Sequence, residues 1–321
     1  MSHPQHVVLG AGTIGTTIAE QLAAAREPVR LVSRSGRSPG IAGVEAVAAD
    51  LTNPVAVRAA TAGAHVAYFA CQPAYTDWPR GFPPLAEGVL GGLAGTGTRL
   101  AVVDNTYMYG PTGGRPMTED LPYAATTRKG IARAKLAERF MAAHRAGDVA
   151  IVIARASDYF GPRGAATSVG DRFFPPLLAG KAVQVFGDVD APHSNTYVPD
   201  FARTLIELGR RDEALGEVWH VPTAPAVSQR RFAELASEAA GLAVPKLSRL
   251  SKPMLRLAGL FVPSAREMVE MAYEFEEPFL LDSSKIERAF GLRPTPLEEA
   301  LAETVAWWRG EVADEASEAV A

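Results

Sequence analysis

Six short, apolar and largely β-branched runs alternate with longer alanine-rich segments through the first half of the chain. The runs lie at residues 7–9, 29–32, 44–47, 66–69, 100–103 and 149–153, and helical periodicity is visible at 16–25, 54–61, 84–94 and 125–144. Strands that alternate with helices at this spacing predict parallel strands with crossover helices, buried on both faces. We therefore predict an α/β fold built on a doubly wound parallel sheet over residues 6–154.

The second half of the chain has a different composition. Glycine, proline and aromatic residues are frequent over residues 155–200, which predicts loops and short elements of a smaller, mainly C-terminal substrate-binding or lid region. Helical patterns at 199–210, 229–240, 263–273 and 296–308 and a strand-like run at 218–221 allow parts of this region to return to the sheet. The predicted domains are residues 1–154, residues 155–309 and an acidic, flexible tail at 310–321.

The composition excludes several classes of protein. The 321 residues carry a net charge of −4 and are 47% hydrophobic, which is ordinary for a globular protein and argues against a nucleic-acid partner. The single cysteine, Cys71, excludes an internal disulfide and suits a cytoplasmic location. Neither a signal peptide nor a long apolar run is visible, so we expect no membrane partner. The histidines show no metal-binding spacing, so no metal is predicted, and a monomer or homodimer is expected.

A glycine-rich turn opens the predicted fold. Gly10, Gly12 and Gly15 follow the first strand in the spacing G-x-G-x-x-G and lead into a helix through Thr13 and Ile14. In this context the first glycine makes the turn, the second lets the backbone approach a pyrophosphate, and the third permits close packing of helix on strand. The helix N-terminus then attracts the anion. The spacing predicts a Rossmann-type dinucleotide-binding domain over residues 1–154; the alternative is a turn with a structural role only.

The end of the second strand predicts which dinucleotide binds. An acidic residue there would bind a ribose 2′-hydroxyl, whereas arginine accommodates a 2′-phosphate. The segment contains Ser33, Arg34 and Arg37 and no carboxylate, which favours NADP(H) over a merely solvated basic loop. Asp50 and Leu51 follow the third strand, where the carboxylate either reaches the adenine amino group or caps the next helix.

Small residues after the fourth strand complete the predicted coenzyme site. Ala70 and Cys71 would let the coenzyme ribose lie against the backbone, and Gln72 is a candidate polar contact to both coenzyme and substrate. We interpret Cys71 as a packing residue, because a nucleophilic thiol would need a histidine partner and His65 lies at the other end of the strand.

In its motifs the chain resembles an extended or atypical short-chain dehydrogenase/reductase of the NAD-dependent epimerase/dehydratase kind, over residues 6–305. Besides the glycine turn, the resemblance rests on four segments: Asp50-Leu51, Tyr109-Gly110-Pro111, Arg155 with Tyr159-Phe160-Gly161-Pro162, and Tyr197-Val198-Pro199-Asp200. The turn differs from the G-x-x-G-x-x-G that is usual in extended members, because position 9 is leucine. The resemblance implies that the backbone around Ser157 and Tyr159 passes the nicotinamide.

The resemblance also implies a catalytic set of serine or threonine, tyrosine and lysine, with the last two spaced Y-x-x-x-K on one helix. Lys135 matches the lysine that holds the nicotinamide ribose, but Ile131 stands at the tyrosine position and Asn105 at the serine position. Isoleucine cannot donate a proton, so the usual acid–base route is closed there. Asn105 either orients a substrate carbonyl or satisfies the loop backbone.

Three interpretations of the missing tyrosine follow. Hydride transfer persists with a proton from the substrate or water; a different tyrosine (Tyr107, Tyr109, Tyr123 or Tyr159) replaces it; or catalysis is lost and the protein is an NADP(H)-binding sensor or scaffold. We predict an NADP(H)-dependent ketoreductase acting on a hydrophobic ketone, similar to reductases that tailor aromatic polyketides such as angucyclinones. Nucleotide-sugar epimerase or dehydratase chemistry is a further alternative, although it depends on the tyrosine.

Aromatic residues near prolines predict a large, mostly apolar pocket for a small-molecule ketone. The predicted substrate contacts are Gln72, Tyr107, Tyr109, Tyr159, Phe173, Phe174 and His193. The alternative is that these aromatic side chains form a loop-rich minor core. Residues 254–261 and 267–279 form an amphipathic to apolar region that would cover the pocket or pair subunits.

Overall fold

The structure, a computed structural model, describes residues 5–261 and 263–318. The chain divides into two compact units. The first unit consists of Met1–Gly110, Glu119–Arg155 and Phe201–Val221, and the second of Pro111–Thr118, Ala156–Asp200 and Pro222–Ala321. The chain therefore passes from the first unit to the second three times, after Gly110, after Arg155 and after Val221.

Strands and helices alternate up to residue 156, except that β3 follows β2 without a helix between them, and the pattern becomes irregular afterwards. The strands are β1 (His6–Leu9), β2 (Val29–Ser33), β3 (Val44–Ala48), β4 (Val66–Phe69), β5 (Arg99–Asn105), β6 (Ile151–Ala156), β7 (Asp158–Phe160), β8 (Val183–Phe186), β9 (Pro192–His193), β10 (Asn195–Tyr197), β11 (Val218–His220), β12 (Val227–Ser228) and β13 (Leu247–Leu250). The α-helices are α1 (Thr13–Ala24), α2 (Pro54–Ala60), α3 (Trp78–Leu93), α4 (Arg128–Arg145), α5 (Phe174–Leu178), α6 (Val198–Arg210), α7 (Gln229–Ala240), α8 (Lys252–Ala258), α9 (Pro263–Val269), α10 (Ser284–Phe290) and α11 (Leu297–Glu318).

The first unit is built on a sheet that, in the described residues, has seven strands in the order β11-β6-β5-β4-β1-β2-β3. Strand β1 pairs in parallel with β2 and β4, and β2 with β3, β4 with β5 and β6 with β11 are parallel as well. Val7, Val8 and Leu9 are fully buried, as expected for a strand covered on both faces. The predicted α/β fold with a Rossmann-type parallel sheet is confirmed.

The order of the strands places a ligand site. The chain runs outward from β1 to β2 and β3, and then returns to β4 on the other side of β1. In open α/β sheets, ligands bind outside the carboxyl ends of the strands at such a reversal. The loops after β1, β2 and β4 therefore form the edge at which a coenzyme is expected.

Helix α3 begins six residues earlier than the sequence pattern indicates. The prolines Pro83 and Pro84 favour a helix start near residue 84, because proline suits the first helical turn. In the structure the helix begins at Trp78, and Trp78 and Phe82, four residues apart, are buried in the core of the first unit. Burial of these two rings outweighs the hydrogen bonds that the prolines forgo.

The second unit has a separate core and only short, paired strands. Strand β7 pairs with β10, β8 with β13 and β9 with β12. Its core contains Phe160, Phe173 and Phe232, which meet edge to face, and Phe174, which stacks on Trp308. Helices α7 and α11 pack together around this core.

The acidic C-terminal segment is helical over most of its described length. Helix α11 continues to Glu318, whereas the sequence analysis ends it at 308 and expects a flexible tail from Gly310. The tail is rich in alanine and glutamate, which are strong helix formers. Residues 319–321 lie outside the described residues. Throughout the described part of the chain, none of the helices is both long and apolar enough to cross a membrane.

Candidate functional site

The turn after β1 requires glycine at its first position. Gly10 has a φ of +121°, a conformation that side chains disfavour. A Cβ atom there would lie 2.6 Å from the carbonyl oxygen of Ala70 and 2.7 Å from the amide nitrogen of Cys71. The turn therefore packs directly against the chain that leaves β4.

Gly12 and Gly15 differ in what surrounds them. A Cβ atom at Gly15 would lie only 1.9 Å from the carbonyl oxygen of Gly10, so helix α1 and the turn are in backbone contact. A Cβ atom at Gly12 would meet nothing within 4 Å. Gly12 is the N-cap of α1, no side chain caps the helix, and Thr13 at its start is only half-buried. The first N–H groups of α1 thus face open space at the carboxyl edge of β1, where they can hold an anion.

The loop after β2 is ordered by its own side chains. Ser33 Oγ accepts a hydrogen bond of 3.0 Å from the amide of Gly36, which has a φ of +63° and packs against Ala48 of β3. Arg34 and Arg37 are exposed, and within the described chain no carboxylate lies at ion-pair distance from either. The loop therefore presents two guanidinium groups at the same sheet edge as the glycine turn.

Asp50 does not cap helix α2. Its Oδ1 accepts hydrogen bonds from the backbone amide of Thr52 at 2.9 Å and the hydroxyl of Thr52 at 2.8 Å. These bonds, with a smaller contribution from the guanidinium of Arg34, hold the pKa of Asp50 below its usual range. The N-cap of α2 is Asn53, whose Oδ1 accepts from Val55. The capping alternative for Asp50 is wrong, and Leu51 is buried in the core.

The chain that leaves β4 combines a buried thiol with an exposed amide. Burial raises the pKa of Cys71 to about 12, so the side chain is a neutral thiol at neutral pH and is a poor nucleophile. Gln72 is exposed, and its Oε1 accepts a hydrogen bond of 3.3 Å from Arg133 Nη2. Ala70 is half-buried against the glycine turn.

A buried polar network lies where β5, β6 and β11 end. Arg155 on β6 is fully buried, and its Nε donates to Asp104 Oδ2 on β5 at 2.9 Å. The same guanidinium donates from Nη1 to Tyr109 at 3.0 Å and from Nη2 to the hydroxyl of Tyr123. Burial alone would lower the pKa of Arg155, but the carboxylate of Asp104 raises it, so the guanidinium is charged.

The two tyrosines of this network have different proton partners. Burial raises the pKa of Tyr109 to about 12, so its phenol is neutral at neutral pH. Because Tyr109 accepts from Arg155, its own hydrogen can be donated to Nε2 of His220, which lies 2.8 Å away. Both hydrogen bonds of the Tyr109 hydroxyl thus stay inside the network, and the side chain is buried. This placement does not agree with the predicted contact of Tyr109 with substrate. Tyr123 is half-buried, and its hydroxyl accepts from Arg155 and retains a hydrogen to donate.

Asn105 ends strand β5, beside Asp104. It is half-buried, and its Oδ1 accepts the backbone amide of Tyr107 at 3.2 Å. This bond fixes the orientation of the side chain, and for its NH2 group no acceptor is recorded among the described residues. The oxygen of Asn105 therefore satisfies the loop backbone, as one alternative from the sequence has it. The NH2 group can still donate to a ligand, so the other alternative, orientation of a carbonyl, stays a prediction.

Helix α4 buries a pair of cationic residues that the sequence analysis did not single out. Its buried side includes Lys129 and Arg133, which have the same i, i+4 spacing as Y-x-x-x-K. Ile131 is 40% exposed and Lys135 is exposed. The register is set by Leu136 and Phe140, because both pack into the core of the first unit and continue the stripe that begins with Lys129 and Arg133. The match of Lys135 to the ribose-binding lysine stays a prediction, and its exposed side chain is accessible to a ligand.

The two buried cations of α4 contact aromatic rings. The ammonium of Lys129 lies 4.2 Å from the centre of the Tyr75 ring, and the guanidinium of Arg133 lies 4.4 Å from that of Trp78. Arg133 Nη1 is also 3.6 Å from Asp104 Oδ1. Asp104 is thus flanked by Arg133 and Arg155, and buried cationic side chains lie among aromatic rings near the carboxyl ends of β4, β5 and β6. The i, i+4 spacing of Lys129 and Arg133 with Leu136 and Phe140 is the signal that could have revealed them.

Several residues predicted to contact ligands are core residues of the second unit. Phe173 and Phe174 are fully buried and pack against other aromatic rings, so the alternative of a minor core describes them better than substrate contact. Ser157 is buried and bonds Thr196 Oγ1 at 2.9 Å. Tyr159 lies half-buried on β7, next to Asp158. Tyr107, in the first unit, is half-buried with its ring 5.8 Å from that of Trp78.

His193 belongs to a buried acid–base cluster in the second unit. Its ring lies between those of Phe275 and Phe279, at 4.8 and 4.9 Å. Nδ1 is 3.1 Å from the carbonyl oxygen of Glu274, which can only accept, so Nδ1 carries a proton. Nε2 lies 3.2 Å from Asp158 Oδ2. The ring is 4% exposed, which leaves it little surface for the predicted substrate contact.

The side chain of Glu274 lies beside this cluster. Burial, reinforced by the charge of Asp158, raises the pKa of Glu274 well above its usual value of 4.5. Its Oε1 has no hydrogen-bond partner among the described residues. Burial therefore favours the protonated form of Glu274, and its Oε1 is buried without a compensating hydrogen bond.

Replacing Glu274 by glutamine is expected to stabilise the protein at pH 8 and to have little effect near pH 4. Above pH 4.5 the unfolded chain loses this proton while the folded chain keeps it, so stability falls by about 1.4 kcal/mol per pH unit. Glutamine removes this dependence. Urea unfolding at several pH values would measure it, with Glu276→Gln, at an exposed neighbour, as control. Parallel pH profiles for Glu274→Gln and the natural chain would contradict the buried, protonated state.

Part of the chain matches a known protein family. Residues 89–221 match the model of the family described as the NAD dependent epimerase/dehydratase family. This segment of the chain is therefore similar to that family. The matched segment extends from α3 to the end of β11 and so includes the network around Arg155, Asn105 and helix α4. The resemblance to an extended or atypical short-chain dehydrogenase/reductase is confirmed.

Two curated proteins that are similar to this chain are dTDP-glucose 4,6-dehydratases. The one from Actinoplanes sp. is 28% identical over 198 residues, and the one from Streptomyces griseus is 25% identical over 194 residues. These matches cover 61% and 60% of this chain, but only 53% and 51% of the relatives. The chain thus aligns with about half the length of these enzymes.

Solved structures share the fold over nearly the whole chain. A UDP-glucuronic acid 4-epimerase from Bacillus cereus in complex with NAD is 16% identical with a TM-score of 0.75, over 95% of this chain and 98% of that one. A dTDP-glucose 4,6-dehydratase from Streptomyces venezuelae with NAD bound is 19% identical with a TM-score of 0.74, over 95% and 96%. At these identities the likeness establishes the fold alone.

Proposed function

We propose that this protein is an NADP(H)-dependent oxidoreductase that reduces the carbonyl group of a hydrophobic small molecule, of polyketide type. The observation that carries the proposal is the carboxylate-free loop Ser33–Arg37, whose Arg34 and Arg37 lie at the same sheet edge as the open N-terminus of α1. The glycine turn fits a pyrophosphate, because only at Gly12 is the space above the backbone open. The structural neighbours that hold NAD support a nicotinamide dinucleotide.

Residues near the ends of β5 and β6 can supply what a carbonyl reduction needs besides the hydride, namely a group that orients the carbonyl and a proton donor. A bound nicotinamide dinucleotide supplies the hydride. The NH2 group of Asn105 orients the carbonyl oxygen, and Tyr123 donates the proton to it. The guanidinium of Arg155, which already donates to the Tyr123 hydroxyl, stabilises the phenolate until solvent returns the proton. This is the second of the three interpretations, in which another tyrosine replaces the missing one.

Coenzyme titration tests the first part of the proposal. We expect NADPH to bind more tightly than NADH, because two guanidinium groups meet the 2′-phosphate. The double change Arg34→Ala and Arg37→Ala should weaken NADPH binding about tenfold to hundredfold while NADH binding changes little. Arg145→Ala is the matched control, since this exposed arginine ends helix α4 at the opposite edge of the sheet. Equal affinities of the natural chain for the two coenzymes would refute the NADP(H) assignment.

A turnover assay tests the second part. Oxidation of NADPH by a panel of aromatic ketones and quinones should slow about a hundredfold or more in Tyr123→Phe, with coenzyme binding unchanged. Tyr273→Phe, at another half-buried tyrosine, serves as control. Full activity of Tyr123→Phe would mean that the proton comes from water or the substrate. Tight coenzyme binding without turnover of any ketone would favour the sensor or scaffold interpretation.

Nucleotide-sugar dehydration is a second candidate, favoured by the curated relatives, which are dTDP-glucose 4,6-dehydratases. Such chemistry also begins with hydride transfer and needs a base. Helix α4 contains no tyrosine, and its buried pair is Lys129 and Arg133. Incubation with dTDP-glucose and either coenzyme, followed by chromatography, distinguishes the candidates, because loss of water from the sugar would favour the dehydratase.

A further inference from the structure

A positively charged segment lies between helix α7 and helix α9 in a chain whose net charge is negative. No aspartate or glutamate occurs between Glu238 and Glu267. The same stretch contains the basic residues Lys246, Arg249, Lys252, Arg256 and Arg266. Of these, Lys252 is engaged by Glu276 at 3.3 Å, whereas Lys246, Arg249 and Arg256 are exposed. The segment is thus a local cationic surface.

Exposed apolar side chains are concentrated in the same segment. Among the described residues, six of the nine large hydrophobic side chains that are exposed lie between residues 242 and 261. The exposed fractions are 52% for Met254, 66% for Leu257, 74% for Leu260 and 84% for Phe261. Leu255 is buried and anchors helix α8, so its neighbours point outward from a fixed element. Clusters of this kind mark binding surfaces rather than ordinary solvent-facing surface.

We propose that this surface, residues 242–261, docks on an anionic lipid bilayer. Met254, Leu257, Leu260 and Phe261 enter the boundary between headgroups and acyl chains, and Lys246, Arg249 and Arg256 contact lipid phosphates. The argument is charge complementarity, because cationic side chains that flank long aliphatic and aromatic ones match the composition of interfacial membrane anchors. The expectation of no membrane partner came from the lack of spanning segments, and docking in the interface needs none.

Co-sedimentation of the full chain with vesicles tests the proposal. We expect binding to vesicles of phosphatidylcholine mixed with phosphatidylglycerol, and about a hundredfold weaker binding to phosphatidylcholine alone or at high salt. The double change Leu260→Ser and Phe261→Ser should reduce binding at least about tenfold, and Arg249→Gln with Arg256→Gln should remove the preference for anionic lipid. Val55→Ser, at an exposed apolar residue of α2, is the matched control.

The variants are expected to fold because the replaced side chains are exposed. Circular dichroism checks that each variant has the secondary structure of the natural chain. No binding to anionic vesicles would overturn the proposal. So would binding that the Leu260 and Phe261 changes leave intact. Sedimentation velocity in the absence of lipid gives a further check, since a dimer that the double variant abolishes would assign the surface to a second copy of this chain instead.

Discussion

Replacing Gly15 by alanine is expected to destabilise the protein by at least about 3 kcal/mol. The new Cβ atom would lie 1.9 Å from the carbonyl oxygen of Gly10 and 3.2 Å from a methyl group of Val8. Both are parts of the turn and strand that define the sheet edge, so the clash cannot be relieved by rotating a side chain. Urea unfolding and thermal melting would measure the loss, and coenzyme binding should disappear with the displaced turn.

Gly12→Ala is the matched control for this prediction. Its Cβ atom would meet nothing within 4 Å, and the φ of −82° and ψ of −174° at Gly12 suit alanine. Stability should therefore change by less than about 1 kcal/mol. Coenzyme binding should still weaken about tenfold to hundredfold, because the methyl group occupies the approach to the helix N-terminus. Unchanged coenzyme affinity in Gly12→Ala would contradict the placement of the pyrophosphate, whereas a stable Gly15→Ala variant would contradict the backbone contact.

Replacing Arg155 by methionine is expected to destabilise the protein by about 3–5 kcal/mol. The change removes the guanidinium that pairs with the buried carboxylate of Asp104 and donates to Tyr109 and Tyr123. Asp104 would keep only Arg133, at 3.6 Å. A buried carboxylate that loses its main partner is strongly unfavourable, and chemical unfolding would report the difference.

Two further variants identify the cause of that loss. Arg99→Met breaks an ion pair with Asp212 on the surface of the first unit and should change stability by less than about 1 kcal/mol. Adding Asp104→Asn to Arg155→Met should recover part of the stability, because it removes the unpaired charge. If Arg155→Met lost as little stability as Arg99→Met, the network would contribute little to the stability of the fold.

The alternation of strands and helices and the glycine turn were predictable from the sequence because both depend on local patterns. Six of the seven sheet strands lie within three residues of their predicted bounds, and the seventh, β11, was expected as a strand that returns to the sheet. The conformation of Gly10 and the close packing at Gly15 follow from the spacing of the glycines. The carboxylate-free end of β2 is likewise a local feature.

Residue roles that depend on packing were predicted less well. The motif matched Lys135 and Ile131 to the family's lysine and tyrosine positions, but it did not reveal that Leu136 and Phe140 fix the helix rotation and bury Lys129 and Arg133. Aromatic residues in a loop-rich segment fit a ligand pocket and a small core equally well, and only the contacts of Phe173 and Phe174 distinguish the two.

The sequence by itself determined the parallel sheet, the glycine turn at its first strand and the basic loop at its second, because short-range periodicity and backbone sterics dictate each of these. The tertiary structure decided that Arg155, Asp104, Tyr109, Tyr123 and His220 form one network, since these residues are distant in the chain and meet only when β5, β6 and β11 lie side by side. The rotation of α4 was also decided at that level. The free energy of burying apolar side chains against the sheet sets that rotation, and the Y-x-x-x-K motif carries no information about it.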